Sequence, residues 1–86
     1  FLCAASVAVV LFDGRPAAVL EHSGEQLRIF EHAAEAIAAL AQAFRSGRIF
    51  PAKRSLSIKK YPPEAAEHLR ANGFLREMLD YVLERK

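Results

Sequence analysis

The chain has 86 residues, 52% of them hydrophobic, a formal net charge of +2 and a single cysteine, Cys3. That is enough apolar content to fold and enough length for one small domain with a modest core. An internal disulfide is excluded, and the lone thiol suits a reducing, cytoplasmic setting.

The first residue is Phe rather than Met, so the chain is expected to be a fragment or a processed product. Phe1–Phe12 is almost wholly apolar. It is too short to span a bilayer as a helix and lacks the basic start of a signal peptide. Val7, Val9, Val10, Leu11 and Phe12 therefore predict a buried strand. Asp13-Gly14 separates this run from a second, Ala17–Leu20, and Asp-Gly between two such runs predicts a tight hairpin. Pro16 fits at the start of the second strand, where a missing N–H is tolerated. Ser23-Gly24 predicts another turn. Glu25–Phe30 then alternates, with Leu27 and Phe30 as inward candidates and Ile29 ambiguous. The first thirty residues read as a three-stranded antiparallel meander.

Glu31–Ser46 predicts a helix. Ile37, Leu40, Ala41 and Phe44 make one apolar stripe at i, i+3, i+4 and i+7. Glu31 and Glu35 in the first turns and Arg45 in the last suit the helix dipole, and Gly47 is placed to cap the C-terminus. Pro51 breaks the chain. Ser55–Tyr61 predicts a strand with Leu56 and Ile58 on one face and Ser55, Ser57 and Lys59 on the other. Pro62-Pro63 ends it and opens a short helix, Glu64–Asn72, closed by Asn72-Gly73. The last run fits two patterns. Leu75, Met78, Leu79 and Val82 match a helix; Leu79, Tyr81 and Leu83 match a strand. The reading adopted is a final strand over Leu79–Glu84. The predicted class is α+β: an antiparallel meander of about three strands, then helix, strand, short helix and final strand, in one module over residues 1–86.

Charge is distributed unevenly along this framework. Between positions 45 and 60 stand six cations, Arg45, Arg48, Lys53, Arg54, Lys59 and Lys60, and no acidic residue. The flanking segments carry more carboxylates than cations. A single-sign stretch attracts polyanions, which makes nucleic acid the first partner to consider, although such a run is equally often a solvated loop. Lys53-Arg54, after Pro51 and Ala52, is the best local pair in an exposed loop. Lys59 and Lys60 fall on opposite faces of a regular strand. Phe50 and Tyr61 bracket the tract as candidates for base stacking. The alternative for Phe50 is a core plug at the helix exit, and for Tyr61 an edge residue packed on proline.

Catalytic signatures are missing from the sequence. It contains no G-x-x-x-x-G-K-[ST], G-x-G-x-x-G or H-E-x-x-H motif. Cys3, His22, His32 and His68 are scattered and do not form a metal-ligand spacing or a nucleophile–base pair. Asp13 and Asp80 read as a turn residue and a solvent-facing position. No catalytic or metal-ligating residue is assigned, and a binding or structural module is expected.

Three segments in order carry a family resemblance: V-L-F-D-G-R-P-A-A-V-L-E-H-S-G-E-Q-L-R-I-F (Val10–Phe30), S-G-R-I-F-P-A-K-R-S-L-S-I-K-K-Y-P (Ser46–Pro62) and L-R-A-N-G-F-L-R-E-M-L-D-Y-V-L-E-R (Leu69–Arg85). Together they resemble the extreme C-terminal region of the large helicase-related (Lhr-type) DEAD/DEAH-box helicases. The resemblance implies an accessory module of an ATP-dependent superfamily-two helicase linked to DNA repair. Its implied partners are the remaining domains of that enzyme and a DNA or RNA–DNA hybrid strand, with no membrane. ATP and magnesium are implied only for the motor domains, which this sequence lacks, so the module itself is expected to bind neither. A strand-contacting role is carried to the six cations of the tract as a group. The competing expectation is a protein-docking or purely structural subdomain.

Overall fold

A computed structural model describes residues 2–3 and 6–85. Two antiparallel sheets and two helices make an α+β fold. The first sheet has the order β1 (Leu2–Cys3), β2 (Ala8–Phe12), β3 (Arg15–Glu21), β4 (Gln26–Ile29). The expected three-stranded meander is present as β2–β4, and β1 adds a short fourth strand. A long helix, α1 (Ala33–Arg45), follows, then β5 (Ser55–Ile58), a short helix α2 (Ala65–Ala71) and a hairpin of β6 (Leu75–Glu77) and β7 (Asp80–Glu84). The second sheet is ordered β5-β7-β6. Main-chain bonds join it to the first: the Leu27 N–H donates to the Lys60 carbonyl at 2.8 Å, and the Lys59 and Lys60 N–H groups both donate to the Glu25 carbonyl.

The turns form for the reasons their residues suggest. Asp13 and Gly14 both adopt positive φ, 53° and 77°, as a tight primed turn requires. Two residue pairs beyond the turn the register between β2 and β3 slips: Leu11 pairs with Pro16, but Val10 with Ala18. Ala17 is the extra residue of this bulge, and its carbonyl accepts the N–H groups of Phe30 and Glu31. The bulge lets two consecutive residues, Ala17 and Ala18, both face inward. Phe30, expected inward, is 59% exposed. The strand's period of two puts Leu27 and Ile29 on one face and Phe30 on the other.

Helix α1 starts two residues later than expected, because His32 sits at φ 52°, outside helical geometry, and its carbonyl accepts the first helical bond from Ala36. The C-terminus closes as a Schellman motif. Gly47 at φ 76° donates to the Phe44 carbonyl, and Arg48 donates to Ala43. The predicted stripe Ile37, Leu40, Ala41, Phe44 is buried against the sheets and α2. In the second sheet Leu56, Ile58, Tyr81 and Leu83 face the same core. The C-terminal run holds a hairpin rather than one strand: the residues expected to begin the final strand, at Leu79, lie in the turn Met78-Leu79, and β6 precedes it. Among the described residues, no helix is long and apolar enough to cross a membrane.

Candidate nucleic-acid interface

The segment between α1 and β5, residues 46–54, carries half of the basic tract, and the fold holds it firmly. Its organiser is Arg85, just beyond β7. The Arg85 Nε donates to the Phe44 carbonyl at 2.8 Å, Nη1 to Pro51 and Lys53 at 2.8 Å each, and Nη2 to Ile49 at 3.1 Å and Phe50 at 3.2 Å. All five donors of the guanidinium are thereby used. Its Cζ also lies 4.2 Å from the centroid of the Phe44 ring, and the cation stands at the carbonyl end of α1, where the helix dipole favours it. Sequence reasoning passed over Arg85, yet the strand period held the signal: Tyr81, Leu83 and Arg85 share one parity, and the first two point inward.

The six cations diverge from this anchored loop. Arg45, in the last turn of α1, donates to the Asn72 carbonyl at 2.7 Å and so is tied to the end of α2. Arg48 and Arg54 are exposed. Lys53 is half-buried, and its Nζ donates to the Ser23 carbonyl at 3.1 Å. That turn, joining β3 to β4, also gathers the other two lysines. Lys59 and Lys60 are exposed and line a cleft of about 270 Å³ together with His22, Glu25 and Gln26. Strand β5 ends at Ile58, so the two lysines leave the regular alternation that would have separated them. The fold thus brings Lys53, Lys59 and Lys60 to one turn, with His22 beside them, and sends Arg45 to another part of the molecule. His22 was not singled out by sequence; its φ of 55° places it in the turn, a local geometry that its identity does not announce.

Among the described residues, the ion pairs are Arg15–Glu31 and Arg28–Glu21, and the His32 Nε2 lies 3.5 Å from the Glu31 carboxylate. None of them involves a cation of the tract. Carboxylates do stand near the tract, with Glu25 in the cleft of Lys59 and Lys60, but none is within ion-pair distance of its cations among the described residues.

The two aromatic candidates separate clearly. Phe50 is buried and packs in the core, so its ring is not offered to a base. Its backbone is at φ 45°, an unfavourable region for a bulky residue, and the Arg85 and Lys53 bonds to its carbonyl hold it there. Tyr61 is half-buried, meets Tyr81 edge-on at 5.2 Å and donates its hydroxyl to the Leu79 carbonyl at 3.1 Å. It braces the β6–β7 hairpin. Among the described residues no group of three histidine, cysteine, aspartate or glutamate side chains is arranged to hold a metal ion. The side chain of Cys3 lies outside the described residues. Comparisons with protein-family models, with curated proteins and with solved structures find no match for this chain.

Proposed function

We propose that this chain is an accessory strand-contacting module of an ATP-dependent superfamily-two DNA helicase, of the kind its C-terminal Lhr-type resemblance implies. In this reading its basic tract holds phosphates without reading bases. The observation that carries the proposal is the density of the tract's charge: six cations within sixteen residues and, among the described residues, no ion pair to any of them. Arg48, Arg54, Lys59 and Lys60 supply exposed cations, and Lys53 lends its charge while tied to the Ser23 carbonyl. Phosphate contacts position a strand and carry no sequence information. Among the described residues, no exposed helix rich in Asn, Gln and Arg stands ready to read base edges, so the expected binding is weak, sequence-tolerant and salt-sensitive. The catalytic work of such an enzyme, including use of ATP and magnesium, belongs to the motor domains.

The test is a salt titration of binding to a labelled oligothymidylate by fluorescence anisotropy. The triple variant Arg54→Ala, Lys59→Ala, Lys60→Ala should reduce the slope of log affinity against log salt by roughly 2, at about 0.7 per single-strand phosphate neutralised. Its melting temperature should change little, because these side chains are exposed. An unchanged slope would leave the tract as a solvated loop and refute the proposal. The exposed side chains of Leu75, Met78 and Leu79 favour a second, compatible reading, in which the module also docks a protein.

A further inference from the structure

The second sheet has an unpaired edge. Its order is β5-β7-β6, and β5 is tied toward the first sheet through Lys60 and Leu27, while β6 borders no other strand among the described residues. The β6–β7 hairpin turns on two residues, Met78 and Leu79, with Glu77 opposite Asp80 as the closing pair. In such a hairpin the closing pair is hydrogen-bonded, so the N–H and C=O of the next residue, Arg76, point away from β7. An unpaired strand edge is a template for another extended chain.

The register shows what that chain would meet. Tyr81 and Leu83 point into the core, so Asp80, Val82 and Glu84 lie on the opposite face of β7. Leu75 and Glu77 pair with Val82 and Asp80 on that same face. Leu75 and half-buried Val82 thus form an apolar centre, flanked by the carboxylates of Glu77, Asp80 and Glu84. None of these three carboxylates is in an ion pair among the described residues. A cleft of about 390 Å³ is lined by Leu75, Glu77, Val82, Leu83 and Glu84, together with Arg45 and Gly73. Arg45 is engaged with the Asn72 carbonyl, and Arg76 turns its Nε back to the Met78 carbonyl at 3.0 Å. At the tip, Met78 is 92% and Leu79 72% exposed. Met78 is also held at φ 59°, a position where a two-residue turn ordinarily uses glycine. Exposed apolar surface and backbone strain at one tip are both features that gather at binding sites.

We propose that the β6 edge accepts an extended, lysine- or arginine-rich segment of a partner protein as an added strand. Main-chain bonds to Arg76 would set the register. The partner's apolar side chains would rest on Leu75 and Val82, and its cations would face Glu77, Asp80 and Glu84. The occupant is basic because this face is acidic, and a nucleic acid is disfavoured there for the same reason. The site does not rest on the strand-binding reading of the basic tract: of the tract's six cations, Arg45 alone lines this cleft, and the other five lie elsewhere.

The probe is an extended heptapeptide of alternating lysine and valine, titrated into the isotope-labelled 86-residue chain and followed by amide chemical shifts. The expected result is saturable shifts confined to β6, β7 and the 78–79 turn, slowed exchange of the Arg76 amide, and binding at least tenfold tighter than a glutamate–valine counterpart. The double variant Glu77→Lys, Glu84→Lys should invert that preference. Leu75→Ser should weaken the lysine peptide at least fivefold, with each variant first shown to keep the wild-type pattern of core amides. The proposal is overturned if the lysine peptide at 1 mM leaves β6 unshifted, if both peptides bind the wild type equally, or if β6 is instead occupied by a second copy, seen as a concentration-dependent doubling of mass with the same amides broadened. Shifts at β6 on adding oligothymidylate in place of peptide would overturn it as well.

Discussion

Replacing Arg85 by alanine takes a charged donor from five carbonyls, of which Phe44 and Phe50 keep a main-chain partner, the N–H of Gly47 and of Lys53. Those of Phe44, Ile49 and Phe50 belong to buried residues, while Pro51 is exposed and Lys53 half-buried. The two outer carbonyls can turn to water. The three inner ones lose charge-assisted partners worth about 1.5 kcal/mol or more each, and the Phe44 ring loses a cation that adds about 1 kcal/mol. Because the bonds share one guanidinium they do not add fully, and the expected loss is about 3–5 kcal/mol. An 86-residue domain has roughly 4–13 kcal/mol in total. At about 4–8 °C per kcal/mol for a domain of this size, the melting temperature should fall by at least about 12 °C, or the chain should fail to fold. Arg85→Lys keeps the charge but not the planar fork and should lose about half as much. Thermal unfolding followed by circular dichroism measures both, and hydrogen exchange of the Arg48 and Lys53 amides reports the loop directly. A shift below about 4 °C for Arg85→Ala would refute the claim that this side chain organises residues 46–54.

Three backbone positions give further expectations. Gly24→Ala should destabilise by roughly 3 kcal/mol, because φ is 95° and a Cβ there would collide with the buried Leu56 side chain; an unaltered melting curve would mean that the β3–β4 turn does not pack on the second sheet as described. Gly14→Val meets no atom within 4 Å, so only backbone strain at φ 77° opposes it; the loss should be smaller, about 1–2 kcal/mol, and a larger effect than Gly24→Ala would contradict this ranking. Met78→Gly should leave stability unchanged or raise it by up to about 1 kcal/mol in denaturant melts, since relief of the strain at φ 59° is offset by glycine's greater freedom in the unfolded chain; a clear loss would show that the Met78 side chain packs in the native state.

How much of this could be read from the residues depended on how local the controlling physics was. Asp13-Gly14, Ser23-Gly24, Gly47 and Asn72-Gly73 are legible because positive φ is decided by the residue itself. The stripe Ile37, Leu40, Ala41, Phe44 is legible because a helix face repeats within a few residues. The β6–β7 hairpin was hidden because its turn uses Met78-Leu79, with neither glycine nor asparagine, and tertiary context holds the strained residue. The same apolar residues, Leu75, Met78, Leu79 and Val82, then mimic a helical stripe. The start of α1 was misplaced because His32, an ordinary helix residue by identity, takes left-handed geometry beside the Phe12 ring. At the candidate site, exposure of Arg48, Arg54, Lys59 and Lys60 follows from a charge-rich, proline-broken stretch. The burial of Phe50, the Lys53–Ser23 bond and the role of Arg85 do not, since each joins residues thirty or more positions apart or depends on such a join.

These long-range ties bear on what the basic tract can do. A flexible cationic loop loses conformational freedom when it wraps a strand, and that ordering subtracts from the attraction of its charges. Residues 46–54 are not such a loop. The Schellman turn fixes the end nearest α1, Arg85 gathers four carbonyls along it and a fifth, that of Phe44, in α1, and Lys53 pins it to the β3–β4 turn. Most of the ordering is therefore complete before any phosphate arrives, and Arg48 and Arg54 project from a fixed backbone. Arg85 contributes to this without facing the strand, which explains how a cation at the end of β7 can matter to a site built between α1 and β5. The acidic β6 edge lies on the face of the second sheet away from the core and from Arg85's own side chain. If both proposals hold, the exposed cations of residues 48–60 and the acidic face of the β6–β7 hairpin are held by different elements, so a polyanion and a basic polypeptide would not compete for the same contacts.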